Sequence, residues 1–272
     1  MPHKPPKRKK VAAAAPKSAV ANKPIVAQPG KKLLLHIGCG VASKEKLPKV
    51  FQGDEWQEVR LDIDPEVKPD IVASMTDMKK EVADNSVDAV FSSHNLEHLY
   101  PHLVPVALKE FNRVIKPEGV VVITMPDLQS ISAYIAEGML EEPLYGSAAG
   151  GIAPIDVVYG WRSAIGNGNT FMAHRGGVSA KSLAQHLGNA GFSNIVIRRQ
   201  WIDLWATAYK FPKGHPQRRE NVTMVNASLT GPDKQELPFW YKRKLMIEAN
   251  PEVHTDELDV PPSFYQPLEL KS

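Results

Sequence analysis

Apolar runs without alternation mark the strands in the first half of the chain. The runs at 33–37 and 120–125 consist largely of aliphatic and β-branched residues, which is typical of strands buried on both faces of a parallel sheet. Less apolar runs at 58–61, 70–73 and 86–92 predict three more strands, bounded by Pro, Gly and polar residues. The segment after the first strand, 41–57, contains Pro48 and Gly53 and only a weak helical pattern, so this crossover is predicted to be short or irregular.

Helical spacing follows the fourth strand. Between 101 and 115 the apolar positions recur every three or four residues, which predicts an amphipathic helix. Segments 127–137 and 179–190 are also predicted as helices, the second with Ser179 as its N-cap and Gly191 as its C-terminal stop. Strands that alternate with helices in this way predict an α/β fold.

The end of the apolar pattern differs from its beginning. Two strand-like runs, 194–200 and 202–209, lie too close together for a crossover helix and predict an antiparallel pair. A segment rich in Gly and small residues, 141–177, is interpreted as a substrate loop. The globular domain is therefore predicted over 32–210, and 211–272 is predicted to be a polar, Pro-punctuated extension.

Charge is distributed unevenly along the chain. Residues 1–32 contain nine Lys or Arg and no acidic residue, so that the remainder contains 24 basic and 30 acidic residues. The leader, 1–31, is rich in Pro, Ala and Lys and is predicted to be disordered because it cannot bury a core. Two alternatives remain for it: a solvated tail, or a tail that contacts nucleic acid, an anionic membrane or an acidic partner.

Two further features bear on the compartment. No run is apolar enough for a signal peptide or a membrane span, so we expect a cytoplasmic protein without a membrane span. The single cysteine, Cys39, excludes an intramolecular disulfide and a zinc site of several thiolates, and it fits a reducing compartment.

The first candidate site lies where the first two strands end. The first strand runs into Gly38, Cys39 and Gly40, and the second ends at Asp62. Side chains at positions 38 and 40 would block a close approach of ligand to backbone, and a carboxylate beside that turn can accept hydrogen bonds from both hydroxyls of a ribose. Cys39 fits as a small residue of the turn. The pattern predicts a nucleoside-cofactor site.

Three more segments follow in order: NSVDAV at 85–90, SHNLEHL at 93–99 and RVIKPEG at 113–119. Together with the glycine turn, they resemble the class I S-adenosylmethionine-dependent methyltransferases over about 32–210. Within that family the chain is most similar to short bacterial predicted methyltransferases of type 11, which begin with a Leu-His-Ile-Gly-Cys-Gly strand. The resemblance implies a Rossmann-like, seven-stranded, mostly parallel sheet with a terminal antiparallel strand pair.

The resemblance also implies S-adenosyl-L-methionine as cofactor, with a small-molecule or saccharide methyl acceptor. The glycine turn would approach the methionine part of the cofactor, Asp62 would hold the ribose, and 74–77 would line the adenine. His36 replaces an acidic residue common in the family, and either packs at the strand end or contacts the amino-acid group. The implied cofactor residues are His36, Gly38, Cys39, Gly40, Asp62, Ser74, Met75, Thr76, Asp77, His94 and Asn95.

Methyl transfer from a sulfonium mainly requires alignment, and a base only where the acceptor must lose a proton. His94 and His174 are the candidate catalytic bases, whereas His98 is interpreted as a structural residue of its turn. We expect no metal site, because His94 and His98 lack a ligand signature on two helices. Four side chains either frame the substrate or pack: Tyr134, Tyr159, Trp161 and Arg162.

Two other functions compete with this interpretation. A nicotinamide-dependent dehydrogenase would need a third glycine and a regular helix after the turn, where this chain has Ala42 and Ser43 followed by Lys and Pro. The alternative from another class is a catalytically weak S-adenosylmethionine-binding or interaction protein recruited by its basic N-terminal tail.

Overall fold

The computed structural model describes residues 25–41, 44–147, 150–231, 235–238, 240–242 and 244–245. The predictions for most of the leader and for the end of the C-terminal extension lie outside these described residues. Ten strands are assigned within them: β1 (Lys32–Ile37), β2 (Trp56–Asp62), β3 (Ile71–Val72), β4 (Val87–Ser93), β5 (Ile115–Pro126), β6 (Tyr145–Ser147), β7 (Gly150–Ile152), β8 (Ser193–Gln200), β9 (Asp203–Tyr209) and β10 (Val222–Ser228).

Five α-helices are assigned in the same part of the chain: α1 (Val104–Val114), α2 (Leu128–Ala136), α3 (Pro154–Tyr159), α4 (Arg162–Gly166) and α5 (Ala180–Asn189). The Ser179 hydroxyl accepts a hydrogen bond from the Ser182 N–H at 3.2 Å, which confirms the predicted N-cap of α5. The predicted stop, Gly191, has φ of +97°, a conformation that favours glycine just after a helix.

The main sheet of the described residues has eight strands in the order β10-β8-β9-β5-β4-β1-β2-β3. Neighbours from β5 to β3 pair in parallel, β9 pairs antiparallel with both β5 and β8, and β10 pairs parallel with β8. This arrangement confirms the predicted Rossmann-like α/β fold with an antiparallel pair near one edge.

The predicted number of seven strands is wrong by one. The additional strand, β10, comes from the polar segment after residue 210, and it pairs with β8 from Val222 to Ser228. Its side chains are mostly exposed, so the run carries little of the apolar signal that marks a buried strand. Pairing with β8 supplies the hydrogen bonds that hold it in the sheet.

The main core lies between the sheet and helices α1 and α5. Helix α1 buries Leu108, Phe111 and Val114 on the face predicted from its spacing, and α5 buries Leu183 and Leu187. A second, smaller core surrounds α2 and includes Tyr134, Trp201 and Leu237. Among the described residues, no helix has the length and apolar character needed to cross a bilayer.

Candidate functional site

A cavity of about 340 Å³ opens at the carboxyl-terminal ends of β1, β2, β3 and β4. Ligands of open α/β sheets bind at this edge, where strand ends and their following turns present backbone groups. Seven of the predicted cofactor residues line it: Gly38, Gly40, Asp62, Ser74, Met75, His94 and Asn95. The chain thus brings together residues from four separate strand ends.

The turn after β1 is built around Gly38 and Asn95. The Asn95 side-chain amide donates to the carbonyls of Ile37 at 2.9 Å and Ser93 at 2.8 Å, which ties the end of β1 to the end of β4. Gly38 has φ of +66°, and a Cβ there would lie 1.9 Å from Asn95 Oδ1. Glycine is therefore required by both conformation and space.

Gly40 has a different role in the same turn. It also has a positive φ, +53°, but a Cβ built on it meets no atom of the described residues within 4 Å. Because Gly40 lines the cavity, a side chain there would occupy space at the cavity wall. Its backbone N–H is directed to the neighbouring carboxylate.

The Asp62 carboxylate is fixed by two backbone donors. The N–H of Gly40 donates to Oδ2 at 2.8 Å, and the N–H of Asp64 donates to Oδ1 at 2.9 Å. Each carboxylate oxygen can accept a further hydrogen bond. The arrangement holds an oriented acceptor pair at the cavity wall.

The remaining predicted cofactor residues lie outside the cavity lining. His36 is buried within β1, with Nδ1 2.7 Å from Glu58 Oε1 and its ring tilted against Phe91. Cys39 is buried as well, and desolvation raises the pKa of its thiol to about 11. Thr76 and Asp77 belong to the turn after Ser74 rather than to the wall.

His94 lines the cavity between two carboxylates. Its Nδ1 lies 3.4 Å from Glu97 Oε1, and its Nε2 lies 3.8 Å from Asp203 Oδ2. Burial lowers the pKa of His94, but the contact with Glu97 and the charges of Asp203 and Glu97 outweigh burial and raise it to about 9. Asp203 is shifted too, since burial raises its pKa to about 6 against the effect of His94.

His174 lies next to the cavity wall but is not part of the lining. Its ring packs edge-on against His98, with 4.8 Å between the ring centroids, and His98 does line the cavity. Both rings bond a backbone carbonyl through Nδ1: His98 to Ala173 at 3.1 Å and His174 to Val157 at 2.7 Å. Burial lowers the pKa of His174.

The predicted substrate loop contributes one part of the wall. Asn169, Phe171, Met172 and Arg175 line the cavity, and none of them was among the predicted catalytic or cofactor residues. The loop is attached to the turn after β4, where the N–H groups of residues 175 and 176 both donate to the Glu97 carbonyl. The segment as a whole carried a signal in its composition, but its individual cavity residues did not.

The four candidate framing residues lie away from the lining. Tyr134 belongs to the second core, where its hydroxyl accepts from Trp201 and donates to the Glu236 carbonyl. Arg162 pairs with Asp156 at 2.7 Å, and neither Tyr159 nor Trp161 is among the lining residues.

The sheet order places the protein among Rossmann-like α/β proteins, with a cavity at the carboxyl-terminal ends of its central strands. Residues 35–123 match the family described as "Methyltransferase domain". The matched stretch includes the glycine turn, Asp62 and the turn after β4. No curated protein matches the chain.

Three of the solved structures that are similar to this chain are the following. A SAM-dependent methyltransferase from Archaeoglobus fulgidus is 18% identical, with a TM-score of 0.45 over 66% of this chain and 87% of that one. SAM-dependent methyltransferases from Methanosarcina mazei are 15% identical to this chain, with a TM-score of 0.46 over 68% of this chain and 95% of that one. Phosphoethanolamine N-methyltransferase 2 from Haemonchus contortus, in complex with S-adenosyl-L-methionine, is 11% identical to this chain. Its TM-score is 0.44 over 68% of this chain and 50% of that one.

Proposed function

We propose that this protein is an S-adenosylmethionine-dependent methyltransferase that acts on a small-molecule or saccharide acceptor. The observation that carries the proposal is the Asp62 carboxylate, which two backbone N–H groups orient at the wall of the strand-end cavity. The family match over 35–123 supports the same assignment.

The residues of the cavity fit this cofactor. Asp62 would accept hydrogen bonds from the ribose hydroxyls, and Ser74 and Met75 would line the adenine side. Gly40 leaves open space that a Cβ would fill, so backbone can approach the amino-acid part closely. When bound, the cofactor supplies an activated methyl group on a positively charged sulfur.

The wall contributed by the loop suits a small acceptor. Phe171 and Met172 would provide apolar surface to the acceptor, and Arg175 and Asn169 would provide hydrogen-bond donors. These side chains would align the acceptor and exclude water.

The test is calorimetric titration of the full chain with S-adenosylmethionine and, in parallel, with NAD. We expect binding of S-adenosylmethionine alone. Asp62→Ala should weaken it by about 1–3 kcal/mol, because the ribose hydroxyls lose their acceptors. Asp54→Ala, at an exposed carboxylate that lies 3.7 Å from Lys44 Nζ, is the matched control and should bind as the unchanged chain does.

Binding of NAD in place of S-adenosylmethionine would overturn the proposal in favour of a dehydrogenase. Equal affinity in the Asp62→Ala variant and the unchanged chain would overturn the role of Asp62. Circular dichroism of both variants checks that the loss is not a loss of fold, since Asp62 also supports the glycine turn.

A further inference from the structure

A carboxylate and two imidazoles from distant parts of the chain meet at the edge of the cavity. Glu97 and His98 lie in the turn after β4, and His174 lies near the end of the substrate loop. One potential ligand atom from each residue lies within 4.8 Å of the other two. Because ligands bond Zn²⁺ at about 2.0–2.2 Å, small side-chain rotations would place all three around one ion.

The Glu97 carboxylate is buried without satisfied hydrogen bonds. The residue is 2% exposed, and neither carboxylate oxygen receives a hydrogen bond of good geometry from the described residues. The His94 ring approaches one oxygen as an ion-pair contact at 3.4 Å. Within the described residues the carboxylate is therefore compensated by the charge of the His94 imidazole and not by hydrogen bonds of good geometry, and a cation bound to its oxygens would add the direct contacts that they lack.

The two histidines are oriented as metal ligands are. His98 and His174 each use Nδ1 for a backbone carbonyl, which favours the tautomer with its proton on Nδ1. The second nitrogen, Nε2, then carries a free lone pair. Metal-binding histidines are commonly fixed in this way by a hydrogen bond from the other ring nitrogen.

We propose that Glu97, His98 and His174 bind one divalent cation of the zinc type at the wall of the cavity. Two imidazoles and one carboxylate suit Zn²⁺ and related transition ions, and three protein ligands leave coordination positions open. His98 lines the cavity, so a cation on it lies beside the space assigned to the ligands.

The open positions give the cation a role in substrate binding, and this role rests on the proposed function. A hydroxyl oxygen of the acceptor would bind the cation, which lowers the pKa of the hydroxyl. The O–H bond breaks and the proton leaves to water, so that the oxygen keeps its electron pair as a nucleophile. The substrate class is therefore an alcohol or phenol, which includes saccharides.

The experiment uses the full chain after treatment with a chelator. Titration with Co²⁺, followed by its visible absorption, should show one equivalent bound, and Zn²⁺ should displace it. His174→Ala and Glu97→Gln should each weaken Co²⁺ binding at least about tenfold, since each removes one of three ligands. His186→Ala, on α5 and outside the cluster, is the matched control and should bind Co²⁺ normally.

Three results would overturn the metal site: no Co²⁺ bound by the unchanged chain, equal binding in all variants, or loss of binding in His186→Ala alone. Thermal unfolding of each variant accompanies the titration. If Glu97→Gln does not fold, His98→Asn takes its place, because it keeps a similar size while removing the ligand nitrogen.

Titration of the same metal-free protein with S-adenosylmethionine separates the two proposals. Cofactor binding without Co²⁺ binding overturns the metal site and supports the proposed function. Co²⁺ binding without cofactor binding supports the metal site and overturns the proposed function. Acetohydroxamate, a small oxygen chelator, tests the substrate role. It should shift the absorption of bound Co²⁺, and an unchanged spectrum would show that no position is open to an acceptor.

Discussion

At the scale of single residues, Gly38 shows how one small position organises the site. Its positive φ and the Asn95 amide beside it leave no space for a side chain. The same amide joins the ends of β1 and β4 through its bonds to Ile37 and Ser93. The cavity therefore depends on a pair of residues that lie far apart in the sequence.

We predict that Gly38→Ala lowers the free energy of unfolding by about 3 kcal/mol or more, because left-handed strain adds to the loss of the Asn95 hydrogen bonds. Gly138→Ala is the control. Gly138 also has a positive φ, +85°, but a Cβ there meets no described atom within 4 Å. Gly138→Ala should therefore lower the free energy of unfolding only by the strain of the left-handed conformation, about 1–2 kcal/mol.

Urea unfolding of both variants measures the two values. Equal losses in Gly38→Ala and Gly138→Ala would show that the contact with Asn95 contributes nothing to stability.

Some residues of the site were predictable from sequence, and others were not. Asp62 and the glycines could be predicted because a strand that ends in glycines or in a carboxylate is recognisable within a few neighbouring residues. The grouping of Glu97 and His98 with His174 carries no such signal, because the loop that brings His174 back is irregular. His94 was visible as a strand-end histidine, but its position between Glu97 and Asp203 depends on the pairing of β9 with β5.

At the scale of elements, helix α1 is fixed by a partly buried ion pair, Glu110 with Arg113, as well as by its apolar face. Arg113 donates to both oxygens of Glu110, at 2.9 and 2.8 Å, and the backbone N–H of Met78 donates to Glu110 at 3.0 Å. Glu110 is 7% exposed. The pair connects the helix to the segment that follows β3.

This pair predicts a pH-dependent stability. The hydrogen bonds from Arg113 lower the pKa of Glu110 from its ordinary value of 4.5, although burial opposes them. A carboxyl whose pKa is lower in the folded state stabilises the fold above its ordinary pKa, and that contribution is lost as the pH falls through the folded value. Acidification below pH 4.5 should therefore remove the contribution.

The measurement is urea unfolding of Glu110→Gln and the unchanged chain at neutral pH and in steps below pH 4.5. At neutral pH the variant should be less stable by about 1–3 kcal/mol, since a charged acceptor of the half-buried Arg113 is lost. The difference should shrink on acidification. Glu66→Gln, at an exposed position, is the control; a pH-independent difference for Glu110→Gln would contradict the prediction.

Helices and strands were predicted correctly where the sequence pattern that marks them lies within the element itself. Helix α5 was predicted with its cap because spacing and capping both lie within the segment. Strand β10 was missed because its exposed residues become a strand only by pairing with β8. Helices α3 and α4 were missed in the substrate loop, since each is too short for a periodic apolar pattern.

At the scale of the whole molecule, the described body begins before the first strand. Ile25 and Ala27 pack against the main core, and the Gln28 N–H donates to the Gln57 side chain at 2.7 Å. These contacts place Ile25, Ala27 and Gln28 against the folded body in the stretch that the structure describes, and the leader boundary at 31 stays a prediction. The basic residues at 31 and 32 thus belong beside the folded body.

A chain that lacks residues 1–24 should therefore fold and bind S-adenosylmethionine like the full chain. The deletion removes seven Lys or Arg but leaves Ile25, Ala27 and Gln28 in place. We expect equal affinity by calorimetry and an unfolding midpoint that does not change. A loss of cofactor affinity would instead make the tail part of the site.

The same pair of proteins separates the two alternatives for the tail. The measurement is the salt concentration at which each protein elutes from heparin. A much lower concentration for the deleted chain supports recruitment by charge, and an equal concentration supports a solvated tail.

The interlock of Gly38 with Asn95 also has an evolutionary consequence. A lineage that replaces the glycine must first lose the amide that occupies its Cβ position, and a lineage that replaces the amide loses the link between β1 and β4. Because neither substitution is neutral alone, we expect residues 38 and 95 to be substituted together. Among descendants of this sequence, that covariation would record the geometry of the strand ends.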